Sequence, residues 1–185
     1  MMDRVESRFR RTAGDPLGRT LPAPDHPSIH PALRSDAEAI LRLQRHCYRS
    51  EAERYNDWTI PPLTQTLAGL EGEFLSHRIL VARLGPAVVG SVRGRHEGGV
   101  CHVGRLVVDP ASRRQGLGSR LMSAIEGEFP DADCFELFTG HLSDDNLRLY
   151  RRLGYAEDHR QAVSPRLTLI YLRKPNHSPL GSLAS

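Results

Sequence analysis

The sequence has few cysteines, few aromatic residues, almost no lysine and no long apolar run, and each shortage excludes something. Three cysteines, Cys47, Cys101 and Cys134, are an odd number at wide spacing, which suits neither a disulfide framework nor a zinc knuckle. They are expected to stay reduced, and no metal is expected. Aromatic residues make up 6% of the chain and form no array on which bases could stack, which argues against a nucleic-acid binder. No apolar run approaches the roughly 18 to 20 residues of a membrane span, and the N-terminal stretch lacks the apolar core of a secretory signal. A cytoplasmic protein with no membrane partner is expected. Lysine occurs once, at Lys174, so the formal net charge of +3 rests on arginine, and a charge this modest does not argue for nucleic acid.

What is present fits one soluble domain. The 185 residues are 39% hydrophobic and 25% charged, a composition far from that of a disordered or collagenous chain. Residues 1–27 mix arginines with Pro16, Pro22 and Pro24 and show no apolar period, so a disordered arm is expected. The same holds for the tail, 175–185, which leaves a folded domain over 28–174. As an oligomer, a monomer or homodimer is expected.

Within that domain the periodicity alternates between strand and helix. A short strand near Ile29 to Leu33 leads to Ser35 or Asp36 as an N-cap and to Ala37, Ile40, Leu41, Leu43 and Gln44 at helical spacing. A linker with Glu51, Glu53, Asp57, Pro61 and Pro62 precedes a second helical pattern, Leu63, Leu67, Leu70 and Phe74. Three strand-like runs follow, Ile79 to Leu84, Ala87 to Arg95 and Val100 to Val108, divided by Gly85-Pro86 and Gly98-Gly99 into an antiparallel meander. Leu117, Leu121, Met122, Ile125 and Phe129 describe an amphipathic helix. Cys134 to Thr139 reads as a strand, Asp144 to Leu153 as a helix closed by Gly154, and two last strands lie around Tyr155 to Asp158 and Leu167 to Leu172. This is a mixed α/β layer with one right-handed crossover between parallel strands.

The chemistry concentrates where the third strand of the meander ends. Val108 is followed by Asp109-Pro110-Ala111-Ser112-Arg113-Arg114-Gln115-Gly116-Leu117-Gly118-Ser119, a turn running straight into the amphipathic helix. The first amides of that helix are unpaired, the glycines let an anion approach them, and from Pro110 to Ile125 there are three arginines and no carboxylate. A diphosphate belongs there. An ATPase-type loop is excluded for want of a lysine, and a dinucleotide fingerprint would need a third glycine where Leu121 stands.

These residues resemble the GCN5-related N-acetyltransferase superfamily, whose pyrophosphate motif, Gln/Arg-x-x-Gly-x-Gly/Ala, is similar to Arg113-Arg114-Gln115-Gly116-Leu117-Gly118. The later segment Asn146-Leu147-Arg148-Leu149-Tyr150-Arg151-Arg152-Leu153-Gly154-Tyr155 resembles the family's second cofactor segment, and the likeness covers about Ser28 to Arg173. It implies a mixed central sheet of about six to seven strands with helices on both faces. It also implies acetyl-CoA in a cleft where two parallel strands, Val100 to Val108 and Cys134 to Thr139, splay apart. The amide of Leu106 would hold the thioester carbonyl, Val108, with Val107 beside it, would pair with pantetheine, Arg113 and Arg114 to Ser119 would cradle the pyrophosphate, and Asn146 would bind the pantetheine arm. Tyr150 matches the tyrosine that protonates the leaving thiolate, its alternative being a core tyrosine.

An acetyl acceptor arrives as ammonium and needs a base. Alternation along the strand puts His102, Gly104, Leu106 and Val108 on one face, with Cys101 out of phase, so His102 is the candidate. Glu97, water, or a merely packed His102 are the alternatives. The acceptor is expected between the first two helices, beside Glu51, Tyr55 and Trp58, where carboxylates and aromatics suit a cationic amine as well as they suit a solvated linker. A protein that binds CoA without catalysis, as a sensor or scaffold, is the rival reading.

Overall fold

The computed structural model describes residues 26–176. The expected arm up to residue 25 and the tail from residue 177 lie outside the described residues. Seven strands form one sheet in the order β1-β2-β3-β4-β5-β7-β6: β1 Ser28–Pro31, β2 Arg78–Leu84, β3 Ala87–Glu97, β4 Val100–Val108, β5 Cys134–Gly140, β6 Ala156–Ser164 and β7 Leu167–Pro175. All neighbours are antiparallel except β4 and β5. Five helices accompany the sheet: α1 Ala37–Tyr55, α2 Pro61–Thr64, α3 Leu67–Glu73, α4 Leu117–Gly127 and α5 Asp144–Arg152.

The sheet is covered on both faces, and β2 shows how the sequence arranges it. Its run Ile79-Leu80-Val81-Ala82 is buried throughout, Ile79 and Val81 packing with Ile40, Leu41 and Leu70 of α1 and α3, and Leu80 and Ala82 with Leu121 and its neighbours of α4. A continuous apolar run is the pattern of a strand with no solvated face. On α4 the residues Leu117, Leu121, Met122 and Ile125 form the buried stripe that the spacing predicts.

The first helix is longer than expected. The segment from Glu51 to Tyr55, expected as linker, is the last part of α1, because Tyr48, Ala52 and Tyr55 continue the helical spacing beneath the charges. It ends at Asn56, whose left-handed conformation (φ 49°) is one that asparagine tolerates. The second helical pattern is divided: α2 begins with Pro61 at its first position, and α3 begins after Thr66, whose hydroxyl accepts from the Gly69 amide at 3.0 Å. β6 is also longer than the expected Tyr155 to Asp158, and it is exposed along its whole length, so it carries no burial pattern for periodicity to detect.

Glu126 joins α4 to the β6–β7 end of the sheet. Its carboxylate accepts from the Tyr155 hydroxyl at 2.8 Å and from Lys174 Nζ at 2.7 Å. Burial together with the Glu126 charge holds the Tyr155 phenol far above its ordinary value, so it remains a donor. Glu126→Ala leaves both donors without their acceptor and is expected to lower unfolding free energy by about 2 kcal/mol in urea denaturation. Glu126→Gln, which keeps an acceptor, is expected to lose less.

Candidate active site

β4 and β5 begin as neighbours and then part. They are paired only at Val100 with Cys134, Cys101 with Phe135 and His102 with Glu136. Beyond these, both strands line a cavity of about 1140 Å³ closed by α1 and α2 on one side and by the start of α4, by α5 and by the β6–β7 hairpin on the others. From Val103 onward β4 keeps only β3 as a strand partner, so its other edge offers main-chain groups to whatever enters the cavity.

At one end of the cavity stands the N-terminus of α4. Arg114 (φ 61°) and Gly116 (φ 73°) both take the left-handed conformation, and no side chain caps the helix. Arg120 is the first residue whose amide finds the Gly116 carbonyl, at 3.0 Å, which leaves the amides of Leu117, Gly118 and Ser119 without helical acceptors. A Cβ on Gly118 would be in ordinary contact with Leu149 at 3.4 Å, whereas at Gly116 nothing lies within 4 Å. Arg113 folds back to donate from Nε to the Val108 carbonyl at 3.1 Å, and the Cys47 thiol donates to the same oxygen at 3.4 Å. Asn146, on the first turn of α5, donates to the Thr139 hydroxyl at 3.4 Å. Of the residues expected around the cofactor, Leu106, Val107, Val108, Arg113, Arg114, Gly116, Leu117, Gly118, Ser119 and Asn146 line the cavity, whereas Gln115 does not.

Midway along β4 a bulge changes which residues share a face. Ser91 pairs with Val107 but Arg93 pairs with Gly104, so Arg105 and Leu106 together stand opposite Val92, and Arg105 takes a φ of 53°. Cys101 and Val103 pack on the α4 side, as do Leu106 and Val108, while Val107 packs against Leu43 and Cys47 of α1. The expected common face of His102, Gly104, Leu106 and Val108 is therefore broken. Cys101 is on the same side as Leu106, not out of phase with it, and is kept from the cavity by complete burial, which pushes its thiol up to about 12. His102 lies at the last paired position, its Nδ1 3.2 Å from the Glu136 carboxylate, outside the cavity wall. Glu97 is also outside, paired with Arg95.

Tyr150 is buried and lines the cavity, and among the described residues its hydroxyl has no protein partner. Burial raises its pKa well above the ordinary phenol value, helped by the nearby Tyr48 and Glu51. Of the three acceptor candidates, Glu51 and Tyr55 line the cavity and Trp58 does not; Trp58 is half exposed beneath the Arg49 guanidinium. Glu51 is paired with Arg54 and accepts from the Ser143 hydroxyl at 2.7 Å. The Tyr55 oxygen accepts from the Leu142 amide at 2.8 Å and lies against Gly140, where a Cβ would stand 2.3 Å from it. Tyr55 thus binds α1 to the turn after β5. His141, beside it, accepts from the Thr168 amide at 3.1 Å and is likewise occupied within the fold.

Among the cavity residues that escaped the sequence reading are Tyr48 and Arg105. Tyr48 is one helical turn before Glu51 and shares its face, a spacing visible once α1 is known to continue. Arg105 has no signal of its own, because it is placed by the bulge. In all, Arg54, Arg105, Arg113, Arg114, Arg148, Arg151 and Arg152 line the cavity against two carboxylates, Glu51 and Asp145, so it attracts anions. Among the described residues no group of three or more His, Cys, Asp or Glu is placed to hold a metal ion, and no helix is long and apolar enough to cross a membrane.

Residues 37–155 match the profile of the acetyltransferase (GNAT) family. No curated protein matches the sequence. Among solved structures, the chain is similar to a putative acetyltransferase, yncA, of Salmonella typhimurium with its cofactor acetyl-CoA (21% identity, TM-score 0.65, 82% of this chain and 95% of that one). It is similar also to a GNAT superfamily phosphinothricin acetyltransferase of Sinorhizobium meliloti in complex with acetyl-CoA (15%, 0.67, 81% and 88%). A protein of Streptococcus mutans aligns at 16% identity with a TM-score of 0.70, over 81% of this chain and 99% of that one. At these identities the likeness concerns the fold.

Tyr55→Phe removes the acceptor of the Leu142 amide in a tightly packed place. It is expected to cost about 1 to 3 kcal/mol of stability, read as a lowered thermal midpoint.

Proposed function

The chain belongs to the acetyltransferase (GNAT) family, and from that premise we propose that it transfers the acetyl group of acetyl-CoA to a primary amine by direct attack in a ternary complex. The observation that carries this reading is the parting of β4 and β5 after three residue pairs, over a cavity whose wall combines a bare β4 edge with the unpaired amides of α4. The diphosphate lies on Leu117 to Ser119 with Arg113 and Arg114 beside it, and the pantetheine arm runs back along β4 past Val108 toward Leu106, with Asn146 on its other side. This arrangement uses backbone donors and a helix terminus for the anion and an unpaired strand edge for the amides of pantetheine.

The acceptor nitrogen attacks the thioester carbonyl, and the C–N bond forms as the C–S bond breaks. The carbonyl oxygen turns to the main chain at the bulge, where a backbone donor is worth roughly 2.7 to 4 kcal/mol to a developing oxyanion. The leaving sulfur takes its proton from Tyr150, whose raised pKa keeps the phenol neutral and ready to donate, and the phenolate regains through water the second proton that the acylated nitrogen releases. Deprotonating an unperturbed ammonium of pKa near 10.4 at pH 7 costs about 4.6 kcal/mol. His102 and Glu97 lie outside the cavity wall, beyond direct reach of an amine inside it. Glu51, inside the wall, draws the ammonium in, and the proton leaves through water. Cys47 also lines the cavity, but burial raises its thiol and the proton is donated to Val108, the reverse of an activated nucleophile.

Calorimetric titration is expected to show CoA binding that weakens with salt, and thiol release from acetyl-CoA is expected with an amine acceptor; absence of CoA binding refutes the reading. Tyr150→Phe is expected to lower kcat by roughly 10²-fold or more, with acetyl-CoA affinity kept. Because the Tyr150 pKa is raised, its acid form persists as the pH climbs, so the parent enzyme's kcat should hold through pH 10. A fall centred near 10 would contradict the role of this phenol. His102→Ala should leave the pH–rate profile in place, and loss of its acidic limb would restore His102 as the base.

A further inference from the structure

The acceptor end of the cavity contains a guanidinium that nothing among the described residues neutralises. Arg105 occupies the β4 bulge at φ 53°, and its side chain lies over the Tyr48 ring, 5.9 Å from the centroid. It lines the cavity, is only partly exposed, and among the described residues has no carboxylate within ion-pair distance. Its neighbour Arg93 differs: it is buried, paired with Glu73 and bonded to Gln65 at 3.3 Å. The other cavity arginines without carboxylate partners among the described residues, Arg113, Arg114, Arg151 and Arg152, belong to the turn before α4 and to α5. Arg105 stands three residues, about 10 Å of extended chain, back along β4 from Val108. It is therefore remote from the diphosphate cradle.

The Tyr48 hydroxyl also engages this guanidinium, and its remaining N–H donors match the fork of a carboxylate. One turn along α1 from Tyr48 stands Glu51, whose charge bears on the hydroxyls of both Tyr48 and Tyr150. An unpaired cation and a carboxylate thus flank the same stretch of wall, Tyr48 between them, which is the complement of a zwitterion. Resting on the acetyl-transfer reading above, we propose that the acceptor is an amine that also carries a carboxylate, a free amino acid, with Arg105 taking the carboxylate while the amine is presented toward Glu51 and Tyr150. A neutral group in place of the carboxylate leaves a partly desolvated guanidinium without its partner, so discrimination arises from the empty Arg105 as much as from the contact made.

The test compares thiol release from acetyl-CoA for the twenty standard L-amino acids, each beside its own carboxamide, after CoA binding has been verified by calorimetry. A preparation that binds no CoA refutes the family-level mechanism, whereas one that binds CoA and fails below refutes only this proposal. The expected result is at least one acid whose kcat/KM exceeds that of its carboxamide by roughly 10²-fold, mostly through KM. Arg105→Asn, a residue that tolerates positive φ and so preserves the bulge, should bring that ratio close to one, and Arg105→Lys, which keeps the charge without the fork, should leave it intermediate. Carboxamides turned over as well as the acids, an acid preference that Arg105→Asn does not alter, or thiol release with none of the acids would each overturn the assignment.

Discussion

Hydrogen-bonding demand along β4 governs the rest of this molecule. A strand inside a sheet satisfies its main-chain groups on two sides, and β4 does so only from Val100 to His102. The remaining residues face a cavity on the β5 side, and leaving such groups unpaired in a partly apolar wall costs free energy unless water or a ligand takes them. The cleft is stable because its surroundings are over-determined. α4 is anchored beneath it by four buried apolar residues and by the Glu126 pair with Tyr155 and Lys174, and α1 is tied across it by Tyr55.

The bulge at Arg105 and Leu106 is the second consequence of the same strand. One extra residue reverses the alternation, so that Leu106 and Val108 look toward α4 while Val107 looks toward α1. It moves Arg105 onto the wall of the cavity and His102 out of register with the residues beyond it. A histidine that an unbroken strand would aim at the thioester instead pairs with Glu136 where the two strands are still joined.

That difference shows which parts of the fold and the site were legible in the sequence. β2, β4, β5, α4 and α5 were readable within a residue or two, because continuous apolar runs mark covered strands and the stripe Leu117, Leu121, Met122, Ile125 marks one helix face. The α4 turn was readable for a different reason: its chemistry is local, a strand followed at once by glycine, arginine and a helix start. The extent of α1 was not, since Glu51, Glu53 and Arg54 dominate a composition in which only Tyr48, Ala52 and Tyr55 preserve the period. Nothing local announces a bulge either, for Arg105 is an ordinary residue held at positive φ by the pairing of its neighbours. Every inference that assumed strict alternation through it, including the shared face of His102 and Leu106 and the phase of Cys101, met this reversal. Trp58 lies off the cavity wall for a simpler reason, since aromatic character alone does not say which side of a loop a ring takes.

The charge on the cavity wall links the two ends of the site. Seven arginines against two carboxylates make a field that favours anions throughout, not only at the α4 terminus. Such a field also works against a bound ammonium and in favour of the neutral amine, lowering the cost of the proton that must leave before attack. The polarity is not uniform, however. Glu51 is held by Arg54 and Ser143 at the α1 side, so an amine finds one negative group to orient it within a wall that otherwise disfavours its charge. Attraction strong enough to position and surroundings hostile enough to deprotonate are opposing demands, and they are met here by separating them: a single oriented carboxylate does the first, and the excess of guanidinium groups does the second.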